Sequence, residues 1–251
     1  MKKNDVFQEV YPFTTEAISG YFPTINFKEK DVLTVGSSLD QAFNASLFGA
    51  KNIVVYDINR NTEEFYKLKR EKILTVPRES LYEEIISTTE IPLTVTEIFP
   101  KDTVMRSNPY LQSDQNYELL RENLDKNNIS FVCGDIFDMN SAIGNKKFDV
   151  MIFSNILQYL EFFAKKEDPY KLLKESFEDW KEHLNDNGLL QLLYLYTYTS
   201  KDLGTEHSLA TYNLKKVVET LGYDNYLRMK SFSNCYNENQ DSVVTYTKER
   251  R

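Results

Sequence analysis

The sequence predicts an α/β fold with a mostly parallel seven-stranded sheet, an antiparallel C-terminal strand, helices on both faces and an inserted cap. Three observations predict it. Short β-branched segments alternate with amphipathic segments, glycine or a polar residue follows most of the predicted strands, and two alternating apolar segments end the chain without a helix between them. Strands joined by helices pair in parallel, whereas strands joined by a short connection pair antiparallel.

The clearest unit is the first strand–helix–strand segment. Residues 31–36 have the sequence DVLTVG, which is typical of a short buried strand that ends in glycine. Apolar residues at helical spacing predict a helix over 39–48, which Gly49 terminates. A second strand is predicted over 53–57 and a second helix over 62–74, so this part of the chain forms a βαβ unit.

The same alternation returns in the second half of the chain. Residues 185–188, Asn-Asp-Asn-Gly, are typical of a turn and are expected to separate a helix from the fifth strand. The predicted elements are strands over 129–133, 148–153 and 189–196, helices over 170–184 and 209–221, and an antiparallel pair of strands over 226–232 and 242–247.

Two regions interrupt this pattern and define the expected domain organisation. Residues 1–28 are expected to form an N-terminal arm or cap, and residues 29–251 the α/β domain. Four prolines break up residues 76–128. We expect this segment to be an insertion that is partly helical and covers the carboxyl end of the sheet.

Composition excludes several classes of function. The formal net charge of −8 disfavours nucleic acid as a partner, because such binding depends on cationic contacts to phosphates. Two cysteines, Cys133 and Cys235, are too few for a disulfide scaffold in a chain of this length. No segment has the pattern of a signal peptide or the roughly 18 apolar residues of a membrane span. We therefore expect a cytoplasmic protein without a membrane span.

Ligands of open α/β sheets bind outside the carboxyl ends of the strands, so the residues after each strand are the candidates for a site. Gly36, Ser37 and Ser38 follow the first strand, where glycine permits a sharp turn and the serines can cap the next helix. Asp57 follows the second strand, 21 residues after Gly36. A carboxylate at about that offset can accept hydrogen bonds from both ribose hydroxyls of an adenosine.

Three more candidates follow the later strands. Asp135 follows the third strand, where it can face an adenine amino group, and Ser154 and Asn155 follow the fourth. Structural roles are also open to these residues: Asp57 can cap the helix that begins near Asn61, Asp135 can cap a turn, and Asn155 can cap the helix after it. Polar residues at four successive strand ends nevertheless favour a ligand site.

The first turn favours an adenosine ligand without phosphates. A dinucleotide-binding loop has the pattern G-x-G-x-x-G, but Ser38 and Gln41 occupy its second and third glycine positions. The phosphate-binding pattern G-x-x-x-x-G-K-[ST] does not occur. A loop with one glycine and two hydroxyl side chains suits a sulfonium cofactor, S-adenosyl-L-methionine, with whose amino group Asp40 could pair.

At this point the sequence resembles a known superfamily. Residues 32–44, VLTVGSSLDQAFN, and 49–59, GAKNIVVYDIN, resemble the class I S-adenosylmethionine-dependent methyltransferases, which have a Rossmann-like fold. Residues 148–155, FDVMIFSN, and 185–190, NDNGLL, fit the fourth motif of that class and the turn before its fifth strand. More narrowly, the chain resembles a bacterial family related to the betaine-lipid 3-amino-3-carboxypropyl transferases, and Asn108-Pro-Tyr-Leu111 belongs to that resemblance.

The resemblance implies roles for the residues after the first two strands. Gly36, Ser37 and Ser38 would line the amino-acid part of S-adenosylmethionine. Asp57 would hold the ribose, and Ile58 would flank the adenine.

It also implies roles for the residues after the third and fourth strands. Asp135 and Ile136 would contact the edge and face of the adenine, and Ser154 and Asn155 would lie near the reactive sulfur. The N-P-P-[YF] signature of enzymes that methylate amino groups of nucleic acids is missing, since Ser154-Asn-Ile-Leu157 stands in its place. That departure again disfavours DNA or RNA bases as acceptors.

These observations predict an S-adenosylmethionine-dependent transferase. Methyl transfer to a small molecule or a lipid head group is the favoured reaction, with transfer of a 3-amino-3-carboxypropyl group from the same cofactor as the alternative. A protein that binds the cofactor, or a partner, without catalysis is a second alternative, which the missing glycines favour.

Residues on the acceptor side are less defined. Asn155, Tyr196 and His207 are the candidates for catalysis, and no cluster of side chains has the spacing of metal ligands. The tyrosines expected where the cap meets the sheet are Tyr11, Tyr110, Tyr159, Tyr194, Tyr196 and Tyr198.

Overall fold

A computed structural model shows how these segments are arranged. It describes residues 10–88, 99–126, 128–164, 168–196, 214–222, 225–233, 235 and 240–249. The side chains of Tyr194 and Tyr196, all of Tyr198 and all of His207 lie outside the described part of the chain.

A seven-stranded sheet forms the centre of the molecule. The strands are β1 (Asp31–Val35), β2 (Asn52–Asp57), β3 (Asn128–Cys133), β4 (Phe148–Ser154), β5 (Leu184–Tyr196), β6 (Leu227–Ser233) and β7 (Gln240–Thr247). Their order in the sheet is β3-β2-β1-β4-β5-β7-β6. Of these seven strands, β7 alone is antiparallel to the other six. The chain order reverses between β1 and β4, which makes their carboxyl ends the switch point where such sheets bind ligands.

Helices cover both faces of the sheet, as predicted. They are α1 (Asp40–Leu47), α2 (Thr62–Thr75), α3 (Arg78–Thr88), α4 (Lys101–Ser107), α5 (Asp114–Leu124), α6 (Met139–Ile143), α7 (Leu160–Ala164), α8 (Pro169–Glu182) and α9 (Leu214–Leu221). Short 3-10 turns join several of them. None of the described helices combines the length and the apolar character that a crossing of the bilayer would need.

Two hydrophobic cores lie on the two faces, because successive side chains of a strand point in opposite directions. Val32 of β1 and Val150 of β4 pack into the core on the side of α1. Their neighbours Leu33 and Met151 pack into the core on the side of α8, around the fully buried Trp180. Both faces of the central strands are thus apolar, which explains why these strands have no polar alternation in the sequence.

The fifth strand differs from its prediction. Residues 185–188 were expected to form a turn before the strand, but β5 begins at Leu184 and includes them. The pairing of β5 with β4 shifts register between Phe148 and Val150, and Asn187 has a left-handed φ of 61°. The turn-forming residues are therefore accommodated as an irregularity at the start of the strand, a position that tolerates such backbone.

The segment 76–128 is helical where the structure describes it, but its position differs from the prediction. Side chains of α3, α4 and α5 pack into the core on the side of α1, and α5 lies beside α1. Asn44 of α1 holds the start of Pro109–Leu111: its Oδ1 accepts from Tyr110 N at 3.1 Å, and its Nδ2 donates to Asn108 Oδ1 at 3.3 Å. The described helices of this segment therefore cover a face of the sheet.

The N-terminal arm lies where the inserted cap was expected. Two 3-10 turns, Ile18–Gly20 and Phe22–Thr24, bury apolar side chains against the core on the side of α1. Residues 10–16 of this arm run past the ends of β1 and β4, which they reach through hydrogen bonds to Asp40 and Ser154.

One fully buried ion pair joins the arm, the first turn and α2. Lys69 Nζ lies 2.7 Å from Asp40 Oδ1, and both side chains are 0% exposed. Lys69 also donates to the carbonyl oxygens of Pro12 at 2.8 Å and Ser38 at 2.9 Å, so all three of its N–H groups have acceptors. Burial lowers the pKa of Lys69, and the adjacent Asp40 carboxylate opposes that shift.

The carboxylate of this pair is equally well bonded. Asp40 Oδ1 accepts from Tyr110 Oη at 2.8 Å as well as from Lys69. Its Oδ2 accepts from Thr14 N at 2.6 Å and from Ser38 Oγ at 3.0 Å. Four donors for four lone pairs are what a buried carboxylate needs to remain ionised without a large penalty.

Removal of one member of this pair is expected to be costly. In Lys69→Met the Asp40 carboxylate stays buried without a counter-charge, so the free energy of unfolding should fall by about 3–5 kcal/mol. The matched control is Lys67→Met, because Lys67 forms an exposed pair with Glu63 at 3.1 Å and should change stability by about 0.5 kcal/mol or less. Urea unfolding of both variants measures the difference, and equal midpoints would contradict the structural role of Lys69.

Candidate functional site

A cavity of about 140 Å³ opens at the carboxyl ends of β1, β2, β3 and β4. A single water needs roughly 10–15 Å³ of such space, so this is a ligand-sized cleft rather than a packing defect. Its polar lining residues are Ser37, Asp57, Asn59, Asp135, Ser154 and Asn155. Its other lining residues are Tyr11, Val35, Tyr56, Ile58, Gly134, Ile136, Phe137, Ile156, Tyr159 and Phe163.

Most residues predicted for the site meet in this cavity. The fold brings together candidates from four separate strand ends, as expected for parallel strands that end at one edge. Those that line the cavity are Ser37, Asp57, Ile58, Asp135, Ile136, Ser154 and Asn155.

Gly36 is not itself a lining residue, and the need for glycine at this position is steric. A Cβ atom at this position would lie 2.4 Å from Asp57 Oδ2 and 2.6 Å from Thr62 Cγ2. The left-handed backbone of the turn falls instead at Ser37, with φ of 42°, and at the buried Leu39, with φ of 68°. The turn is therefore built without the glycines that would relieve backbone strain at those positions.

Asp57 ties the first turn to the second. Its Oδ2 accepts from Ser37 N at 2.9 Å and from Thr62 Oγ1 at 3.0 Å, and its Oδ1 accepts from Asn59 N at 2.9 Å. Burial raises the pKa of Asp57, and these hydrogen bonds to the charged form lower it in part. The alternative structural role, contact with the start of α2, is thus also present, through Thr62 rather than through a backbone cap.

Ser38 and Asp40 differ from their predicted positions. Both are 0% exposed and neither lines the cavity. Asp40 is committed to Lys69, Tyr110, Thr14 and Ser38, so its carboxylate stabilises the loop and does not face a ligand's amino group. The sequence alone could not separate these roles, because three of the four partners, Lys69, Tyr110 and Thr14, come from distant segments.

The third strand end combines a turn cap with a cavity wall. Asp135 Oδ1 accepts from Phe137 N at 3.0 Å and so caps the 3-10 turn Ile136–Asp138. The carbonyl of Ile136 accepts from Trp180 Nε1 at 2.8 Å, which fixes the turn to α8. The cap that was the structural alternative for Asp135 is therefore present, and the same residue also lines the cavity.

The fourth strand end holds two polar residues in different ways. Asn155 has a left-handed backbone, with φ of 53°, a conformation that asparagine tolerates better than most residues. Ser154 Oγ donates to Glu16 Oε1 at 2.7 Å and accepts from Gln41 Nε2 at 3.1 Å. Ser154 thus connects the cavity to a buried polar cluster.

Glu16 bonds to the cavity-lining Ser154 and was not identified from the sequence, and neither were the lining residues Asn59, Tyr56 and Phe137. It is 2% exposed, and its Oε2 accepts from Tyr21 Oη at 2.7 Å and from Gln41 Nε2 at 3.0 Å. Burial raises its pKa, although the hydrogen bonds from Ser154, Tyr21 and Gln41 oppose the shift. The only signal was that Glu16 is the one charged residue between positions 10 and 27, and it follows no strand.

Two of the candidate tyrosines line the cavity. Tyr11, which is 48% exposed, and Tyr159 lie at its open side, and they are hydrogen-bonded to each other. Burial, the neighbouring Tyr11 and the Asp57 carboxylate raise the pKa of Tyr159 to about 12. Tyr110, by contrast, is buried against Asp40 away from the cavity.

The charge of the lining restricts its ligands. Of the described residues that line the cavity, none is lysine or arginine, and two are aspartates. Phosphate groups need cationic or main-chain donors, and Ser37 N in the first turn already donates to Asp57. The cavity therefore suits a neutral or cationic ligand with hydroxyl and amino donors.

Comparisons with known proteins give only distant structural similarities. No protein-family model matches the sequence, and a search of curated proteins finds no relative. Similar solved structures include the N-methyltransferase NodS from Bradyrhizobium japonicum WM9, with 11% identity, coverage of 94% of this chain and 91% of that chain, and a TM-score of 0.47. Magnesium protoporphyrin IX methyltransferase from Synechocystis PCC 6803, solved with bound S-adenosylmethionine, has 11% identity, coverage of 89% and 72%, and a TM-score of 0.46.

A third similar structure is the ribosomal protein L11 methylase from Lactobacillus delbrueckii subsp. bulgaricus. It has 14% identity, coverage of 93% of this chain and 77% of that chain, and a TM-score of 0.45. Similarities this distant carry no information on ligand or substrate.

Substitution of Gly36 tests the geometry of the first turn. Gly36→Ala places a methyl group 2.4 Å from Asp57 Oδ2, so the free energy of unfolding should fall by about 1–3 kcal/mol. Ser37→Ala is the control, because the hydrogen bond to Asp57 uses the Ser37 backbone N–H and survives the change. Urea unfolding compares the two variants, and a Gly36→Ala protein as stable as Ser37→Ala would refute the close approach of Asp57.

Proposed function

We propose that this protein is an S-adenosylmethionine-dependent transferase that moves a methyl group to a small molecule or a lipid head group. The observation that carries the proposal is the meeting of four strand ends in one cavity whose described lining is acidic and aromatic. The arrangement of parallel strands with an antiparallel β7 agrees with the Rossmann-like methyltransferase fold that the sequence resemblance implied.

The nucleoside would lie along the ends of β2 and β3. Asp57 would accept hydrogen bonds from the ribose, since a carboxylate oxygen can accept more than one donor and can hold the turn and a hydroxyl together. Ile58 and Ile136 would pack against the adenine, and Asp135 would accept from its amino group. These side chains provide an apolar slot with two acceptors, which fits an adenosine without phosphates.

The sulfonium end of the cofactor would then lie near β4. The sulfonium would point towards Ser154 and Asn155, and the acceptor would enter from the open side beside Tyr11 and Tyr159. A sulfonium is already activated for displacement, so the protein needs to align the acceptor behind the transferred carbon and exclude water. Of the three residues that the sequence offered for catalysis, Asn155 lies within the described part of the chain and lines the cavity, which supports such a role.

Binding measurements test the cofactor. Isothermal titration calorimetry should show binding of S-adenosylhomocysteine and no binding of NAD, because the first turn, where a pyrophosphate would lie, lacks two of the three glycines and has its Ser37 N–H bonded to Asp57. Asp57→Asn should weaken S-adenosylhomocysteine by about 10- to 100-fold, since a hydrogen bond to a charged acceptor is lost.

Asp138→Asn is the matched control for that variant. Asp138 lies near the same cavity, but its Oδ1 accepts from Ser141 Oγ at 2.7 Å and it does not line the cavity. Unfolding curves of both variants separate lost affinity from lost structure. Unchanged affinity in a folded Asp57→Asn protein, or tighter binding of NAD, would refute the proposal.

Product analysis tests the reaction. Incubation of the protein with S-adenosylmethionine and candidate acceptors, followed by mass spectrometry, should show S-adenosylhomocysteine as the product of methyl transfer. Methylthioadenosine as the product would instead establish transfer of the 3-amino-3-carboxypropyl group. Binding of the cofactor without either product under any acceptor would favour a protein that binds the cofactor without catalysis.

A further inference from the structure

A buried acidic cluster lies behind Ser154, at the switch point between β1 and β4. It consists of Glu16 from the arm, Gln41 from the first turn of α1 and Ser154 from the end of β4, with Tyr21 as a fourth hydrogen-bonding partner. Glu16 is 2% exposed, Gln41 0% and Ser154 6%. These side chains belong to three separate segments, and of the three Ser154 lines the cavity.

When Glu16 is ionised, the cluster carries a negative charge, and no cationic side chain of the described residues is bonded to that carboxylate. The three side chains that donate to Glu16, those of Ser154, Tyr21 and Gln41, are all neutral. Lys69, the buried lysine nearest in the fold, is committed to Asp40 and to two carbonyl oxygens. An ionised carboxylate that is buried without a cation is costly, and a bound cation would remove that cost.

The cluster also presents surplus acceptors. Ser154 lines the cavity, and its Oγ gives its hydrogen to Glu16 and accepts from Gln41, so any further partner of this oxygen has to be a donor. Gln41 donates both hydrogens of its amide, to Glu16 and to Ser154, while its Oε1 finds no donor among the residues that the structure describes. A buried acceptor without a donor is unfavourable unless a ligand or a water supplies one.

We infer that Glu16, Gln41 and Ser154 form a seat for an ammonium group of the ligand in the cavity. An ammonium is a cation with hydrogen-bond donors, and it meets both deficits: it supplies a counter-charge for Glu16 and a donor for Gln41 Oε1. A neutral hydroxyl would leave Glu16 uncompensated, and an anion would be repelled.

Two ligands can bring this ammonium group, and both follow from the proposed function, on which the inference rests. One source is the amino group of the sulfonium cofactor itself. The other is an amine on the acceptor molecule. The chemistry of recognition is the same in both cases, so the two sources have to be separated by experiment.

Glu16→Gln is the informative variant, because it removes the charge and keeps the size and the acceptor oxygen. S-adenosylhomocysteine, which has an ammonium group, and methylthioadenosine, which lacks the amino-acid part, are titrated into wild type and variant. If the cofactor supplies the ammonium, the variant should bind S-adenosylhomocysteine about 10- to 100-fold more weakly and methylthioadenosine equally well. Ser154→Ala should also weaken the binding of S-adenosylhomocysteine more than that of methylthioadenosine. The control Ser107→Ala, at a buried serine away from the cavity, should not.

If the acceptor supplies the ammonium, both nucleosides should bind the variant as they bind wild type. Ethylammonium is then titrated into protein saturated with S-adenosylhomocysteine and followed by ligand-observed NMR. Wild type should bind it, and Glu16→Gln should lose that binding.

Stability of the ligand-free protein separates this role from a structural one. Glu16→Gln removes an uncompensated buried charge, so its midpoint of urea unfolding should be equal to or higher than that of wild type. A lower midpoint with equal loss of affinity for both nucleosides would mean that Glu16 only supports the fold. Unchanged binding of all three probes would also overturn the inference. Failure of wild type to bind either nucleoside would instead refute the proposed function, which is a distinct result.

Discussion

A buried lysine determines the arrangement of the segments around the cavity. Lys69 of α2 uses its three donors on Pro12 of the arm, on Ser38 of the first turn and on Asp40 at the start of α1. A displacement of any of these segments would leave a donor or a charge unpaired in the interior, where that is most costly. Hydrophobic burial supplies the stability of the two cores, whereas this pair fixes the relative positions of elements that the cores alone would allow to slide.

The position of the arm follows from that constraint. Pro12 and Thr14 bond to the ion pair, which holds the nearby Tyr11 in the cavity lining and Glu16 against Ser154. Tyr11 lines the open side, and Glu16 lies behind Ser154 at the inner end. The arm thereby contributes an aromatic side chain to the lining and places a carboxyl group against Ser154, and the strand ends contribute two aspartates to the lining.

The central sheet was predictable because its signals are local. The mainly apolar segments 31–35 and 52–57 each predict a strand, and Gly36 predicts the turn after the first of them. Each of these signals needs only a few neighbouring residues, and parallel strands share an edge. Strand ends then predict which side chains converge, and this succeeded for Asp57, Asp135 and Ser154.

Other features depend on contacts between distant segments, which no local pattern records. Asp40 follows the same strand as Ser37, but Lys69 and Tyr110, 29 and 70 residues away in sequence, claim its carboxylate. Glu16 joins the site through Ser154, at a separation of 138 residues.

The most direct test of the proposed cofactor site is a crystal structure with S-adenosylhomocysteine. It should show a ribose hydroxyl within hydrogen-bonding distance of Asp57 and the adenine against Ile58 and Ile136, whereas a nucleoside bound elsewhere, or a ribose without contact to Asp57, would contradict it.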